Sequence, residues 1–329
     1  MTGIFIAGLA SEGRVKTYTA SYFSDPRVGF VSVLLISICI IGVVFGGYEL
    51  FKKSRSLTYF QNGRVAFGER GDILLAEDNI TKAINQTKSD VYYRAFSEIK
   101  IRQIADLLRR EGVSPDAVRL EFQSLLGAGI EAGQRAVQFD GTHYGNWLAL
   151  ARVYASVVPF VEGAYDNAKT SLIEARARSP KNPLLLLEQA RLEIANRNTA
   201  GGRGYIEQSI AMKPDYADAI FIQAQLDIAD GNIKKAIATL ESATLVAPND
   251  HGLFFQLGLL KFNNNDFNGA ALALERATAL NPQFANAKYF LGLSYDKLKR
   301  YPEAIGQFED LVKSNGDNDE VKRILSNLK

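Results

Sequence analysis

Four prolines, Pro180, Pro214, Pro248 and Pro282, stand 34 residues apart. A fixed period of this length marks a stacked repeat, and it constrains the fold more than any other feature of the chain. Other columns keep the same step. Small residues recur at Ala190, Ala224, Gly258 and Gly292, at Gly202, Ala236, Ala270 and Ala304, and at Ala175, Ser209, Ala243 and Ala277. Large apolar residues recur at Leu172, Ile206, Leu240, Leu274 and Phe308. Two antiparallel helices approach closely only where small residues face each other and a larger apolar neighbour fills the space beside them. Proline cannot continue a helix, so each one closes the second helix of a pair.

The pattern resembles the tetratricopeptide repeat (TPR). In the first full repeat it is carried by Trp147, Leu150, Ala151, Tyr154, Ala168, Leu172, Ala175 and Pro180. In the last it is carried by Tyr289, Leu291, Gly292, Tyr295, Tyr301, Ala304 and Phe308. The resemblance implies an all-α fold, a TPR α-solenoid of antiparallel helix pairs that binds other proteins. It names no partner, because repeat scaffolds serve many.

Ahead of the repeats, Val28–Tyr48 holds 21 residues without a charge. About 20 apolar residues span the hydrocarbon core as a helix. A soluble core helix rarely stays apolar on every face for so long, so residues 28–50 read as one transmembrane helix. A cleaved signal peptide fits less well, since the positive stretch is not at the extreme N-terminus and the run is long. Gly42, Gly46 and Gly47 fit the ordinary use of glycine in such helices. Residues 1–27 read as a tail, whose apolar start (Ile4, Phe5, Ile6, Ala7) is too short to cross a bilayer. Arg14, Lys16 and Arg27 precede the run, and Lys52, Lys53, Arg55 and Arg64 follow it. The balance leans by one charge toward a cytoplasmic C-terminal part.

Composition excludes some classes. Apolar residues make up 47 % and charged residues 22 %, which suits a folded chain. Net charge is +2 and no basic face is visible, so no nucleic acid is expected as partner. Cys39 is the one cysteine, and no disulfide can form within the chain.

Residues 57–140 read as two degenerate repeat-like hairpins. Leu57 to Lys88 turns at Gly71-Asp72, between a face of Tyr59, Phe60, Val65, Ala66 and Phe67 and one of Ile73, Leu74, Ala76, Ile80, Ala83 and Ile84. The next hairpin starts with Asp90 as N-cap, stops a helix at Gly112 and restarts at Ser114-Pro115. Five full repeats fill 144–316. The first has five extra residues around Val157–Val161, since Tyr154 to Ala168 is 14 residues where the regular spacing is nine. Residues 317–329 read as a capping helix with Val321, Ile324, Leu325 and Leu328 inward.

A second resemblance runs from about Tyr92 to Lys329. That stretch is similar to the C-terminal TPR region of multi-spanning bacterial membrane proteins with an O-antigen ligase-like or polymerase-like front. Asn146–Leu150, Phe254–Leu260 and Tyr289–Asp296 carry it. The catalytic front of those proteins needs many spanning helices, and this chain shows one. The resemblance therefore implies a bacterial cell-envelope setting and no transferase activity.

Residues suited to catalysis are sparse, and the chain reads as a scaffold, not an enzyme. His143 and His251 fall in separate turns, whereas a metal site needs three or four clustered ligands, so neither metal nor cofactor is expected. Gly201-Gly202-Arg203-Gly204 lacks the Lys-Ser/Thr of a phosphate loop and reads as a loosened repeat turn.

The first helix of each TPR pair lines the concave surface in such folds. Here one ladder of such positions is Leu187, Phe221, Phe255 and Tyr289, and a neighbouring one is Arg152, Arg191, Gln225, Leu259 and Leu293. Rings stand where carboxylate-binding TPR modules want a lysine. That points to an apolar or helical peptide as partner. The same rings are equally suited to packing between successive repeats. Two roles follow for the whole chain. One is a membrane-anchored scaffold that holds a protein partner in the groove. The other is a non-catalytic companion of a polysaccharide-assembly enzyme.

Overall fold

The structure, a computed structural model, describes residues 26–110, 114–314 and 319–328. The expected tail ahead of Pro26, the helix stop at Gly112 and the repeat end at Gly316 lie outside the described residues. Fifteen α-helices and no strand occur among the described residues. The chain divides into two compact units, one ending at Tyr92 and one beginning at Tyr93.

The first unit holds α1 (Pro26–Gly68) and α2 (Ile73–Gln86). The expected break between a membrane helix ending at residue 50 and a hairpin starting at Leu57 is absent, because α1 is a single helix of 43 residues, about 65 Å long. Residues 49–58 contain no glycine or proline to stop it. Its N-terminal half carries a stretch long and apolar enough to cross a membrane, and none of that stretch is buried. Its C-terminal half packs on α2. A Cβ on Gly63 would stand 2.7 Å from Ile80 Cδ1 and 3.3 Å from the Ala76 carbonyl oxygen, closer than packed atoms tolerate. Glycine at this crossing is what lets the two backbones approach. Asp72 opens α2 by accepting the Leu75 N–H at 3.0 Å.

Helix α3 (Asp90–Leu107) begins at the end of the first unit, and α4 (Pro115–Phe139) follows it. Asp90 lies inside the first turn of α3 rather than ahead of it as a cap, where its carboxylate still faces the positive end of the helix. Five helix pairs come next: α5 (Tyr144–Ala155) with α6 (Ala164–Arg178), α7 (Pro183–Ala195) with α8 (Thr199–Met212), α9 (Ala217–Ala229) with α10 (Ile233–Val246), α11 (His251–Asn263) with α12 (Phe267–Leu280), and α13 (Ala285–Lys297) with α14 (Tyr301–Ser314). Helix α15 (Asp319–Leu328) ends the row, with Val321 buried against it.

The columns read from the sequence are the core. Leu172, Ile206, Leu240, Leu274 and Phe308 are each at most 2 % exposed, and the small residues beside them are equally covered. Helices α6, α8, α10 and α12 end at Arg178, Met212, Val246 and Leu280, two residues before the four prolines. The turns inside the regular pairs are also alike. Arg197, Gly231, Asn265 and Lys299, again 34 apart, have φ of 62°, 77°, 62° and 61°. The next N–H returns to the last turn of the helix in each: Asn198 to Glu193 at 2.8 Å, Asn232 to Asp227 at 2.7 Å, Asp266 to Lys261 at 2.9 Å, Arg300 to Tyr295 at 2.8 Å. This is a left-handed helix cap with its six-to-one hydrogen bond.

Two stretches depart from expectation. Gly201–Gly204 lies within the first turns of α8 rather than in a loosened turn. Asn198 accepts the Gly201 N–H at 3.0 Å and so starts the helix ahead of the glycines. The five-residue insert of the first repeat is packed, not looped out. Val157 is fully buried and joins Ile104 of α3 and Ala164 of α6, with Phe122, Leu125 and Leu126 of α4 against them.

Candidate partner-binding site

Helices α5, α7, α9, α11 and α13 place the two predicted ladders at equivalent positions. The ring ladder divides. Leu187 on α7 is 0 % exposed and Phe255 on α11 is 9 % exposed, so at these two positions the packing alternative holds and the side chain is not open to a partner. Phe255 lies 4.8 Å from Phe284 and 6.2 Å from Phe290, ring centre to ring centre. Neighbouring rings cover it from the following repeat, and this seam buries apolar area that a free groove would leave wet. Phe221 on α9 and Tyr289 on α13 remain half-buried. Tyr289 stacks edge-on against Phe290 at 5.4 Å and Phe308 at 6.1 Å, and its hydroxyl donates to Glu320 Oε1 on α15 at 2.8 Å. Burial first, and then Glu320, push the pKa of this phenol up.

The second ladder is the more open one. Arg191 and Gln225 are exposed, Arg152 is half-buried, and Leu259 and Leu293 lie half-buried against the cluster that holds Phe255. Arg152 Nη2 donates to Glu188 Oε1 at 2.7 Å, and Arg191 Nη1 donates to the same oxygen at 3.0 Å. Glu98 Oε1 on α3 stands 4.0 Å from Arg152 Nη1. Glu188 is only 8 % exposed, and a carboxylate so covered needs the two guanidinium groups. Burial works against the charge of Arg152, but the hydrogen bond and charge of Glu188 hold its pKa above the usual arginine value. The ladder thus changes along its length, from charged at α5 and α7, through amide at α9, to aliphatic at α11 and α13.

A third column escaped the sequence reading. Glu193, Asp227, Lys261 and Tyr295 are 34 apart, one each on α7, α9, α11 and α13, and each meets the second helix of the preceding pair. Tyr165 donates to Glu193 at 2.8 Å, Arg203 to Asp227 at 2.7 Å, Lys261 pairs with Glu241 at 2.7 Å, and Tyr295 donates to Glu275 at 2.7 Å. Donor and acceptor swap sides between repeats while the contact persists. Their types differ from repeat to repeat, Glu, Asp, Lys and Tyr, so the 34-residue spacing alone does not mark them as one contact.

His143 lies in a turn as expected, whereas His251 is the first residue of α11, because Asp250 rather than the histidine caps that helix. His143 Nδ1 accepts the Gly145 N–H at 3.0 Å and caps α5, and its ring stacks on Tyr144. His251 meets Phe284 edge-on at 5.3 Å. Among the described residues no three His, Cys, Asp or Glu side chains converge as a metal-binding set.

A family model described as tetratricopeptide repeat matches residues 187–250 and 255–320. These two stretches carry tetratricopeptide repeats, and the fold of the described residues is an all-α repeat solenoid. Among solved structures it is similar to yeast Tom70, at 16 % identity and a TM-score of 0.64, over 85 % of this chain and 54 % of that one. It therefore spans about half the length of that relative. It is also similar to a tetratricopeptide repeat protein from Parabacteroides merdae, at 13 % identity and a TM-score of 0.44, covering 84 % of this chain and 99 % of that one. A third similar structure is YrrB, a TPR protein with an unusual peptide-binding site, at 15 % identity and a TM-score of 0.40, covering 59 % of this chain and 98 % of that one. At 16 % identity the likeness to Tom70 speaks to fold alone. No curated protein sequence matches the chain.

Proposed function

We propose that this chain is a single-pass membrane-anchored TPR scaffold of the bacterial cell envelope that holds a protein or peptide partner in the concave groove of its repeats. The observation that carries the reading is the graded ladder of Arg152, Arg191, Gln225, Leu259 and Leu293, with Phe221 and Tyr289 beside it. An apolar anchor next to a charged rim is the usual division of labour at an interface. The apolar, unburied stretch of α1 supports the anchor, and the inner membrane is its expected place. No reaction is assigned to it.

The test has two arms. Alkaline carbonate washing of membranes leaves an anchored chain in the pellet, and release of the full chain refutes the anchor. Pull-down from detergent extract then supplies the partner. An Arg191→Glu/Leu259→Ser variant that keeps its melting midpoint loses the partner. Retained binding, together with loss on changing the opposite helices α8 and α10, refutes the groove. The companion role beside a polysaccharide-assembly enzyme rests on the sequence resemblance over about 92–329. Adjacent glycan-assembly genes are what favours it.

A further inference from the structure

We infer that Lys52, Lys53, Arg55 and Lys88 form one cationic collar that binds anionic phospholipid headgroups where α1 leaves the bilayer. The inference rests on the membrane-anchor reading and adds a ligand class to it. Because α1 does not break, distances along it follow from the helical rise. Lys52 and Lys53 lie four and five residues past Tyr48, the end of the uncharged run, and so about 6–8 Å beyond it. That is about the depth of one headgroup layer, which makes up the difference between the hydrocarbon core and the full bilayer.

The fourth cation comes from the fold. Helix α2 returns antiparallel to α1, and its end is pinned to the collar. Thr87 Oγ1 donates to Ser56 Oγ at 2.6 Å, and Ser56 Oγ donates to the Tyr92 hydroxyl at 2.7 Å. Ser56 is fully buried, so this junction is fixed. Lys88, the residue after Thr87, is exposed at the level of Arg55, although 33 residues of chain separate them. Lys53 and Arg55 are exposed as well. The Lys52 ammonium sits 4.9 Å from the centre of the Tyr48 ring, and Arg55 Nη2 donates to the Tyr59 hydroxyl at 3.0 Å. A tyrosine at the depth of Tyr48, the end of the uncharged run, holds a helix at the interface.

Two carboxylates oppose the four cations. Glu49 pairs with Lys52 at 3.2 Å, and Asp90 opens α3. A positive excess of two remains. The other end of the same hairpin has the opposite sign by one charge, with Glu69, Asp72, Glu77 and Asp78 at the turn and the start of α2, against Arg64 and Arg70 there and Lys82 paired to Asp78. The hairpin is therefore polarised along its axis, with its positive end at the apolar stretch. Juxtamembrane lysines and arginines are attracted to anionic leaflets, each contributing on the order of 1 kcal/mol, whereas a neutral surface offers no such term.

The test places the full chain in phosphatidylcholine nanodiscs containing a trace of spin-labelled phosphatidylglycerol or spin-labelled phosphatidylcholine. The readout is the fraction of each label immobilised by the protein. The phosphatidylglycerol label is expected to be favoured about threefold or more. Lys88→Gln lowers that preference and Lys53→Gln/Lys88→Gln lowers it further, while Lys234→Gln on α10 leaves it unchanged. Equal immobilisation of the two labels by the wild-type chain overturns the collar while leaving the anchor intact. So does a Lys88→Gln variant that keeps the full preference, since the hairpin then adds nothing to the helix flank. A chain that does not enter the nanodisc overturns the anchor and the collar together, and carbonate extraction identifies that case. Capture of an acidic protein without any lipid preference also overturns the proposal.

Discussion

Substituting Gly292 by alanine tests the helix crossing that defines the repeats. Gly292 lies on α13 and faces Phe308 on α14. A Cβ there would stand 2.7, 2.9 and 3.0 Å from three ring carbons of Phe308, where packed carbons sit at about 3.5–4.0 Å. Phe308 is fully buried among Tyr295, Leu311 and Val321, with Tyr289 on its face, so the ring has nowhere to withdraw. Overpacking of this kind costs about 1–3 kcal/mol. Alanine also gains about 1 kcal/mol over glycine within a helix, which masks part of that cost. Gly306 on α14 isolates the second term. It is exposed, and a Cβ there meets nothing within 4 Å. Gly306→Ala should therefore stabilise, and the difference between the two variants cancels helix preference and leaves the crossing. At about 2–4 °C per kcal/mol, the thermal midpoints should differ by at least about 2 °C, with Gly292→Ala the lower. Far-ultraviolet circular dichroism of the detergent-solubilised chain gives both midpoints. If Gly292→Ala raises the midpoint as much as Gly306→Ala, the close approach of α13 and α14 is wrong.

Other expectations follow from the same geometry. Asp227→Ala leaves Arg203 with Asp230 alone and should cost about 1–3 kcal/mol in urea unfolding; an unchanged midpoint would mean that the polar column between repeats is decorative. Burial, and then the hydrogen bond to Glu275, push Tyr295 from 10.0 up to about 12. Its protonated form therefore stabilises the fold fully below pH 10.0, and that contribution is lost as pH rises through about 12. Thermal midpoints of the wild type should fall more steeply across that window than those of Tyr295→Phe, and parallel curves would refute the assignment. Lys299 holds a left-handed φ of 61°, so Lys299→Gly should gain up to about 1 kcal/mol, whereas Gly231→Ala, at 77°, should lose a similar amount. Leu240→Ala should cost about 2–5 kcal/mol and Ala236→Leu about 1–3, against under about 0.5 for Lys234→Ala; an Ala236→Leu chain with wild-type stability would mean that the repeat register is misread.

The all-α repeat fold and the core columns from Leu172 to Phe308 were legible in the sequence alone. A 34-residue period repeats the same local problem at each step, and small and large apolar residues at fixed steps leave one way to press the two helices together. The apolar run of α1 was equally plain, because length and lack of charge are properties of the segment itself. Tertiary structure decided what depends on a neighbour. Whether a ring of the first ladder is open is set by the next repeat: Phe284 and Phe290 cover Phe255, and Glu320 takes the hydroxyl of Tyr289. The polar column became visible only when each residue met its partner on the preceding pair. Lys88 joined Lys52, Lys53 and Arg55 only because α2 folds back to pin Thr87 on Ser56. Periodicity assigns a residue its place on a helix, but the side chains that arrive from the adjacent helix determine what that residue can still touch.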